Sequence, residues 1–336
     1  EMAVRILAVD LARDVYQLEP TNPSYRQLQL LAVLDASKRL LGPNRFVLAK
    51  EVSPFVQNVS ASEVDQALGV ALDRNLMPAA IAAAELAGQL GDISLLSAVG
   101  QKPSNLVAAI LSGQRHLQFA AAKAIAEFDP RAPFPGSSYF AKLMTFLANS
   151  RATSTGVVLH PRPDVAGTLA SSVSQSGLVS RTVYSPQELF DELNSNPDVA
   201  MVLLTDSSSS PVSVEIVQQI RQNWRSRQIP VGLLNRSFDR ELRAEEVLRD
   251  DPLTWVMPLT SDPALVFSQI ERLRGYQQPW PVSDVQRDQQ ARFAVSWLAQ
   301  ALSDPDSYGF YQLNSYPDAL LHLAESRGWG QEKNQI

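Results

Sequence analysis

The first 41 residues carry apolar side chains at the spacing of two helices. In both stretches they recur every three or four residues. The members are Val4, Leu7, Ala8, Leu11 and Val15 in the first stretch and Leu30, Val33, Leu34 and Leu41 in the second. Between them, Pro20 and Pro23 stop the first helix, because proline lacks a backbone N–H and clashes with the preceding turn. The pattern predicts an antiparallel helical hairpin of the tetratricopeptide (TPR) type.

Residues 60–130 consist of short alanine-rich stretches with helical periodicity. The run Ala82 to Ala84 returns as Ala120 to Ala122, 38 residues further along the chain. A period of this length is typical of HEAT-like arrays, in which each helix pair buries its apolar face only against its neighbours. A generic helical bundle stays open as the alternative. The predicted helices cover residues 62–74, 78–90, 104–111 and 115–128, followed by one over 139–147.

The pattern changes at residues 151–155, where we place a domain boundary. After it, five apolar strands alternate with five amphipathic helices, which predicts a parallel sheet with right-handed crossovers. Strands such as Met201 to Leu204 are apolar throughout, so helices are expected on both faces of the sheet. The predicted strands cover 156–160, 179–183, 200–205, 230–234 and 255–257, and the helices cover 165–175, 186–193, 212–224, 240–248 and 264–273.

The C-terminal part returns to a helical pattern after a Pro/Gln-rich linker at residues 275–281. Helices are predicted over 283–302 and 317–326, with Phe293, Trp297, Leu298 and Leu302 on one face of the first. We therefore expect three regions. They are an α-helical array over 1–150, an α/β domain over 154–275, and a linker with C-terminal helices over 276–330.

Composition narrows the classes of function. The 336 residues include 29 Lys and Arg against 35 Asp and Glu, a net charge of −6, so the basic character expected of a nucleic-acid-binding protein is missing. No apolar run in the sequence approaches the length that spans a bilayer. The chain has no cysteine, which excludes disulfides, thiolate metal sites and cysteine nucleophiles. Because a chain that starts at Glu1 is expected to be a processed product or a fragment, neither a cytoplasmic nor an exported location is preferred.

Several motifs of the α/β stretch match response regulator receiver domains in kind and spacing. They are Pro163-Asp164 at the start of the first helix, Gly177 at its end, Pro197-Asp198 before the third strand, Ile229-Pro230-Val231 at the fourth, and Met257-Pro258 followed by Asp262-Pro263 around the fifth. Residues 155–275, about a third of the chain, therefore resemble a receiver domain. The resemblance implies a flavodoxin-like (βα)5 fold with its site at the carboxyl ends of the strands.

The resemblance also implies a phosphorylation site, and this chain does not complete it. A receiver uses an acidic pair to hold Mg²⁺, a carboxylate nucleophile, a hydroxyl and a lysine. At the corresponding positions stand His160 and Pro161, Thr205, Asn235 and Met257. Without the acidic pair, a divalent ion lacks hard oxygen ligands, and the charge of a transferring phosphoryl group stays unneutralised. We therefore expect a phosphorylation-incompetent pseudo-receiver with no catalytic residue, metal or cofactor.

Two alternatives use neighbouring residues. A one-residue slip would put Asp206 at the nucleophile position, as a fallback phospho-acceptor, with His160 and Asp164 as substitute ligands. Against this alternative, imidazole is a poor ligand for Mg²⁺, and no lysine lies near Pro258 in the sequence. The other alternative is an enzyme whose site, between the helical and α/β domains, uses Arg162, Asp164 and Asp206.

The order of these parts resembles large bacterial HEAT-repeat proteins that carry a divergent receiver. This resemblance implies no enzymatic activity. The expected function is that of a scaffold: the TPR- or HEAT-like array offers an extended surface to protein partners, and the pseudo-receiver offers a second docking face or a self-association surface. Neither nucleic acid nor a membrane span is expected.

Overall fold

The computed structural model divides the chain into two compact units. The first unit comprises the described residues of Glu1–Met144 and Val295–Pro317, and the second comprises those of Thr145–Ala294. The residues described are 2–56, 58–97, 103–205, 213–236, 244, 246, 248–260, 262–275 and 281–313.

The first unit is built of helices that match the predicted ones to within a few residues. Helices α2, α5 and α7 stack side by side, and α4 packs on both α5 and α6. Each helix pair therefore contacts the next pair, which is the arrangement that the alanine repeat predicts. Kinship with HEAT repeats stays a prediction. The helices are α1 (Met2–Leu18), α2 (Pro23–Leu41), α3 (Ala49–Val52), α4 (Ala61–Asp73), α5 (Met77–Leu90), α6 (Asn105–Ile110), α7 (Arg115–Phe128) and α8 (Ser137–Ala148), with a 3₁₀ turn at Ile93–Leu96.

Local sequence signals explain where these helices begin and how closely they pack. Asn22 caps α2 by accepting a hydrogen bond from the backbone of Ser24, and Ser60 forms a capping box with Glu63 at the start of α4. The α5–α7 contact relies on small residues, since a Cβ on Gly88 would overlap the carboxylate of Glu127 and lie only 3.0 Å from the Cα of Ala124 on α7. Both alanine runs of the repeat are buried in this contact region.

A buried ion pair ties the loop after α2 to α5. Lys38 is 1% exposed and its Nζ lies 2.5 Å from Glu85 Oε1. The same Nζ donates to the carbonyl of Arg45 at 2.8 Å, and Glu85 Oε2 accepts from the backbone N–H of Val47. Burial is the main cause that raises the pKa of Glu85, and Lys38 opposes it. The pair therefore holds the loop by satisfying both its own charges and two backbone groups.

The second unit is a five-stranded parallel sheet in the order β2-β1-β3-β4-β5. This is the flavodoxin-like order of doubly wound folds, so the predicted fold class of this unit is confirmed. Its strands are β1 (Thr155–Leu159), β2 (Val179–Val183), β3 (Val199–Thr205), β4 (Val231–Asn235) and β5 (Thr254–Pro258). Its helices are α9 (Pro163–Gln175), α10 (Pro186–Ser195), α11 (Ser213–Gln222) and α12 (Pro263–Gly275), and helix α13 (Asp284–Ser303) also begins in this unit.

Alternating side chains of the strands pack into two apolar layers, one on each face of the sheet. One layer combines Leu204 and Leu233 with residues of α10 and α11, and the other combines Leu203 and Met257 with residues of α9 and α12. All seven residues of β3 are buried, as expected for a central strand covered on both faces. Of the predicted helix at 240–248, only residues 244, 246 and 248 are described, and Ala244 and Leu248 join the first layer.

The amino ends of the strands are held by a buried carboxylate. Asp198, 1% exposed, accepts hydrogen bonds from Ser150 Oγ at 2.7 Å and from the backbone of Arg151 at 2.6 Å. It also pairs with Arg287 of α13 at 3.1 Å. Asp198, directly before β3, therefore holds both the segment that leads into β1 and the start of α13 in this unit.

The C-terminal helices within the described chain complete the first unit with aromatic side chains. Trp297 of α13 lies edge-on to Phe140, with ring centroids 4.8 Å apart, and Tyr311 contacts both rings. Tyr308, at the end of α14 (Pro305–Tyr308), donates to Asp129 at 2.6 Å. Leu302, which the sequence pattern groups with Trp297, is 43% exposed. The predicted helix at 317–326 lies outside the described residues.

Among the described residues, helices both long and apolar enough to span a bilayer are lacking.

Candidate functional site

The carboxyl ends of the parallel strands form the candidate site. In open α/β sheets, ligands bind in the crevice outside these ends, where neighbouring strands connect to opposite faces of the sheet. Here that crevice lies between β1 and β3, which are adjacent in the sheet. The residues at the carboxyl ends of β1, β3, β4 and β5 are the ones that correspond in sequence to a receiver's phosphorylation site.

His160 follows β1 and is fully buried. Its Nδ1 lies 2.9 Å from the backbone nitrogen of Arg162, which donates to it, and its Nε2 lies 3.4 Å from the guanidinium of Arg236. Burial lowers the pKa of His160, and the charges of Arg236 and Arg162 lower it further. The lowered pKa favours the neutral ring. Because its Nδ1 accepts from Arg162, its proton lies on Nε2, so the 3.4 Å approach to Arg236 is a contact and not a hydrogen bond that the ring accepts.

Thr205 ends β3, at the position where a receiver carries its nucleophile. The side chain is 4% exposed, and its hydroxyl donates to the carbonyl of Leu159, the last residue of β1, at 3.2 Å. This hydrogen bond joins the two strands at their ends. The hydroxyl proton is directed at a backbone carbonyl, and the side chain thereby ties the two strands together.

Asn235 and Met257 take the positions of the hydroxyl and the lysine. Asn235 ends β4 and is 4% exposed, and among the residues described its side-chain Nδ2 finds no hydrogen-bond partner. Met257 is 1% exposed and belongs to the apolar layer beneath α12. A Cβ on Gly232 would collide with the terminal methyl of Met257, so the glycine makes room for the thioether. Met257 is thus a core residue.

The charged groups described at this edge include two arginines. Arg162 pairs with Asp164 across the first turn of α9, with Nη2 2.5 Å from Oδ2, and both side chains are exposed. This pairing lowers the pKa of Asp164. Arg236, which directly follows β4, extends to His160. Arg236 is a site residue that the sequence pattern did not identify, although its place directly after a buried strand is the signal that could have found it.

The structure brings only part of the predicted set together. His160, Thr205, Asn235 and Met257 all lie at or beneath this edge, whereas Pro161 starts the turn that leads away into α9. Asp206 and the serines that follow it lie outside the described residues. Within the described part of the chain, His, Asp and Glu side chains do not gather in groups of three that could hold a metal ion.

A second concave feature lies at the opposite, amino-terminal edge of the sheet. It is a polar groove with a volume of about 370 Å³, whose lining includes Arg151, Arg181 and Glu192. Arg181 lies 3.4 Å from one carboxylate oxygen of Glu192, and Asn196 donates to the other at 2.7 Å. The lining residues come from a linker, a strand and a helix, so sequence spacing alone does not group them.

Comparisons with solved structures give likenesses over about a third of the chain to a sensor protein, a receiver domain and a response regulator. No protein-family model matches the chain, and no curated protein matches it. A sensor protein from Polaromonas sp. JS666 is 17% identical over 37% of this chain and 98% of that one, with a TM-score of 0.33. The receiver domain of the Francisella response regulator 1452 is 12% identical over 37% and 99%, with a TM-score of 0.31. The bacteriophytochrome response regulator AtBRR is 18% identical over 38% and 97%, with a TM-score of 0.31. The fold assignment of the second unit rests on its strand order.

Proposed function

We propose that this chain is a non-catalytic protein-interaction scaffold whose receiver-like unit does not accept a phosphoryl group. The observation that carries the proposal is the burial and hydrogen bonding of Thr205. Where a receiver needs an ionised carboxylate, this chain has a buried hydroxyl that donates to the carbonyl of Leu159. A hydroxyl is not ionised at neutral pH, so it does not supply the anionic nucleophile that a receiver uses.

The electrostatics of the strand ends support the same conclusion. Mg²⁺ takes carboxylate and water oxygens and usually bridges the phosphate that is transferred. The residue after β1 is a buried neutral imidazole that faces the guanidinium of Arg236. A cation placed there would meet a positive charge instead of an acidic pair, so binding of Mg²⁺ is opposed at the point where a receiver favours it.

Met257 also supports the proposal, because it stands at the position where a receiver has its lysine. In a receiver, the lysine at this position contacts the phosphoryl group and relays its presence. A thioether buried under α12 offers no charge to an anion. The hydrogen-bonding and ionic groups of a phosphorylation switch are therefore replaced by packing at this position.

The helical unit supports the scaffold part of the proposal. Successive helix pairs stack on one another, and such arrays present extended surfaces to partner proteins. The net charge of −6 disfavours nucleic acid as the partner. We propose that proteins bind this chain through these surfaces and that neither unit turns over a substrate.

Incubation of the full chain with acetyl phosphate and Mg²⁺ tests the proposal, with intact-mass analysis as the readout. We expect no phosphoryl adduct, because the site lacks both the metal ligands and the nucleophile. Asp206→Asn removes the fallback acceptor, and Asp250→Asn, at an exposed residue before the amino end of β5, is the matched control. A Mg²⁺-dependent adduct on the wild type that Asp206→Asn abolishes and Asp250→Asn retains would favour a phosphate-regulated receiver instead.

A further inference from the structure

The polar groove whose lining includes Arg151, Arg181 and Glu192 has the size of a small-molecule site. We call it the amino-edge groove. Its volume of about 370 Å³ lies within the range of roughly 300–1,000 Å³ that is typical of ligand pockets. The residues that line it all belong to the second unit. They lie at the edge of the sheet opposite to Thr205, so the groove is separate from the strand ends that correspond to a receiver's phosphorylation site.

The charged residues of the amino-edge groove leave one positive charge uncompensated. Arg151 is exposed, and within the described part of the second unit its guanidinium has no carboxylate partner. Arg181 Nε lies 3.4 Å from Glu192 Oε2, which is longer than the ~2.7–2.9 Å of a charge-assisted hydrogen bond. The other carboxylate of the lining, Asp198, is buried and is neutralised by Arg287. The groove therefore carries a net charge of about +1 by this count, on a chain with a net charge of −6.

The hydrogen-bonding groups that remain available in the groove are mainly donors. Ser180 Oγ accepts from a neighbouring serine at 2.9 Å, so its own proton can be donated to a ligand. The acceptors are already used, because Glu192 accepts from Asn196 at 2.7 Å and Ser195 donates to a carbonyl of the last turn of α10 at 2.7 Å. Asn149 has an acceptor without a partner among the described residues, but this oxygen is buried. Surplus donors and a positive charge favour an anion with oxygen acceptors.

We propose that the amino-edge groove binds a small polar molecule with one carboxylate, and that Arg151 is the residue that pairs with it. One uncompensated positive charge matches one carboxylate, and a guanidinium presents parallel N–H groups to its two oxygens. Glu192 disfavours a second negative charge beside the first. A free metabolite and the last residue of a peptide both supply this chemistry. Binding in the groove neither requires nor prevents phosphorylation at the opposite edge of the sheet, so it is independent of the proposed scaffold function.

Titration of the full chain with three related probes, followed by the NMR shifts of its backbone amides at constant ionic strength, tests the charge preference. Glycerate carries one negative charge, glycerol none, and glycerol 3-phosphate about two. We expect glycerate to shift amides of residues 149–155, 179–181 and 192–198 in a saturable manner, glycerol to have no effect, and glycerol 3-phosphate to bind more weakly than glycerate. A short glycine–serine peptide with a free terminal carboxylate, compared with its amide, distinguishes a peptide source from a free metabolite.

Matched variants test the role of Arg151. Arg151→Gln should weaken binding of whichever carboxylate probe is bound by at least about tenfold, because one charge-assisted hydrogen bond is lost. Arg249→Gln, at an exposed arginine before β5 that does not line the groove, removes the same charge and should leave binding unchanged. Glu192→Gln keeps an acceptor for Asn196 and should strengthen binding of that probe and of glycerol 3-phosphate. The backbone contact of Arg151 with Asp198 persists in Arg151→Gln, and circular dichroism checks that each variant folds.

Any of three results would overturn the proposal. The first is that neither glycerate nor the free peptide acid binds saturably, or that the uncharged forms bind equally well. The second is an equal loss of binding in Arg151→Gln and Arg249→Gln, which indicates attraction by the overall charge instead of a site. The third is tighter binding of glycerol 3-phosphate than of either carboxylate by the wild type, which contradicts the charge count. Saturable binding of glycerate or of the free peptide acid that only Arg151→Gln weakens would support the proposal and identify which source the groove accepts.

Discussion

Replacement of Met257 by lysine would restore the residue type of a receiver at this position, and the structure predicts that this change destabilises the second unit. The side chain is 1% exposed and lies in the apolar layer with Leu203 and Leu273. Its methyl group fills the space left by Gly232. Lysine in the same rotamer would put an ammonium group among these side chains.

The magnitude follows from two contributions. Loss of the buried thioether and methyl costs about 2 kcal/mol. The ammonium must either stay in the layer, at a further cost of several kcal/mol, or extend towards the exposed end of β5 and leave a void. We therefore expect Met257→Lys to lower the free energy of unfolding of the second unit by about 3 kcal/mol or more. Met257→Leu, which conserves volume, should cost less than about 1.5 kcal/mol.

Hydrogen exchange in urea is the suitable assay, because it separates the two units of the full chain. Peptides that cover β4 and β5 should lose protection in Met257→Lys, while peptides from α5 and α7 should keep theirs. If the free energy of unfolding of Met257→Lys stays within about 0.5 kcal/mol of the wild-type value, as for a surface substitution, Met257 is not a core residue.

Three further predictions concern buried polar groups. Lys38→Met should cost about 3 to 5 kcal/mol in urea unfolding, because Glu85 loses its buried partner. Since the pKa of Glu85 in the folded chain is already raised, the deficit should shrink as the pH falls towards about 4.3, the unfolded value; a deficit that is constant with pH would contradict this. Asp198→Asn should cost about 3 kcal/mol, because Arg287 is left buried without its carboxylate; hydrogen exchange in β3 checks it, and unchanged protection would refute it. NMR titration should find the pKa of His160 below about 6.5. The lowered pKa then adds to the free energy of unfolding above about pH 6.5, and this contribution is lost as the pH falls through the unfolded pKa towards the folded one. His160→Gln should therefore make the free energy of unfolding depend less on pH in this range.

The secondary structure of both units could be predicted closely because its signals are local. The strands β3 and β4 are apolar up to their last residues, Thr205 and Asn235, and this pattern over five to seven residues is typical of a strand covered on both faces. The alternation of strands and helices then restricts the topology to parallel crossovers. The alanine runs of α5 and α7 predicted a close helix contact for the same reason, since small side chains permit it.

The site was harder to predict, because its features depend on contacts between distant segments. The sequence identified His160 and Thr205 as unsuited to receiver chemistry. It did not predict that the imidazole faces Arg236 or that the hydroxyl bonds to Leu159, since 76 and 46 positions separate these partners. Likewise, the apolar spacing of α1 indicates a helix but does not indicate which face α2 covers.

Binding of Mn²⁺ to the full chain, followed by electron paramagnetic resonance as a stand-in for Mg²⁺, tests the central claim most directly. The account predicts that wild type and Asp206→Asn bind Mn²⁺ equally, because the strand ends offer no acidic pair. A saturable site present in the wild type and lost in Asp206→Asn would contradict it.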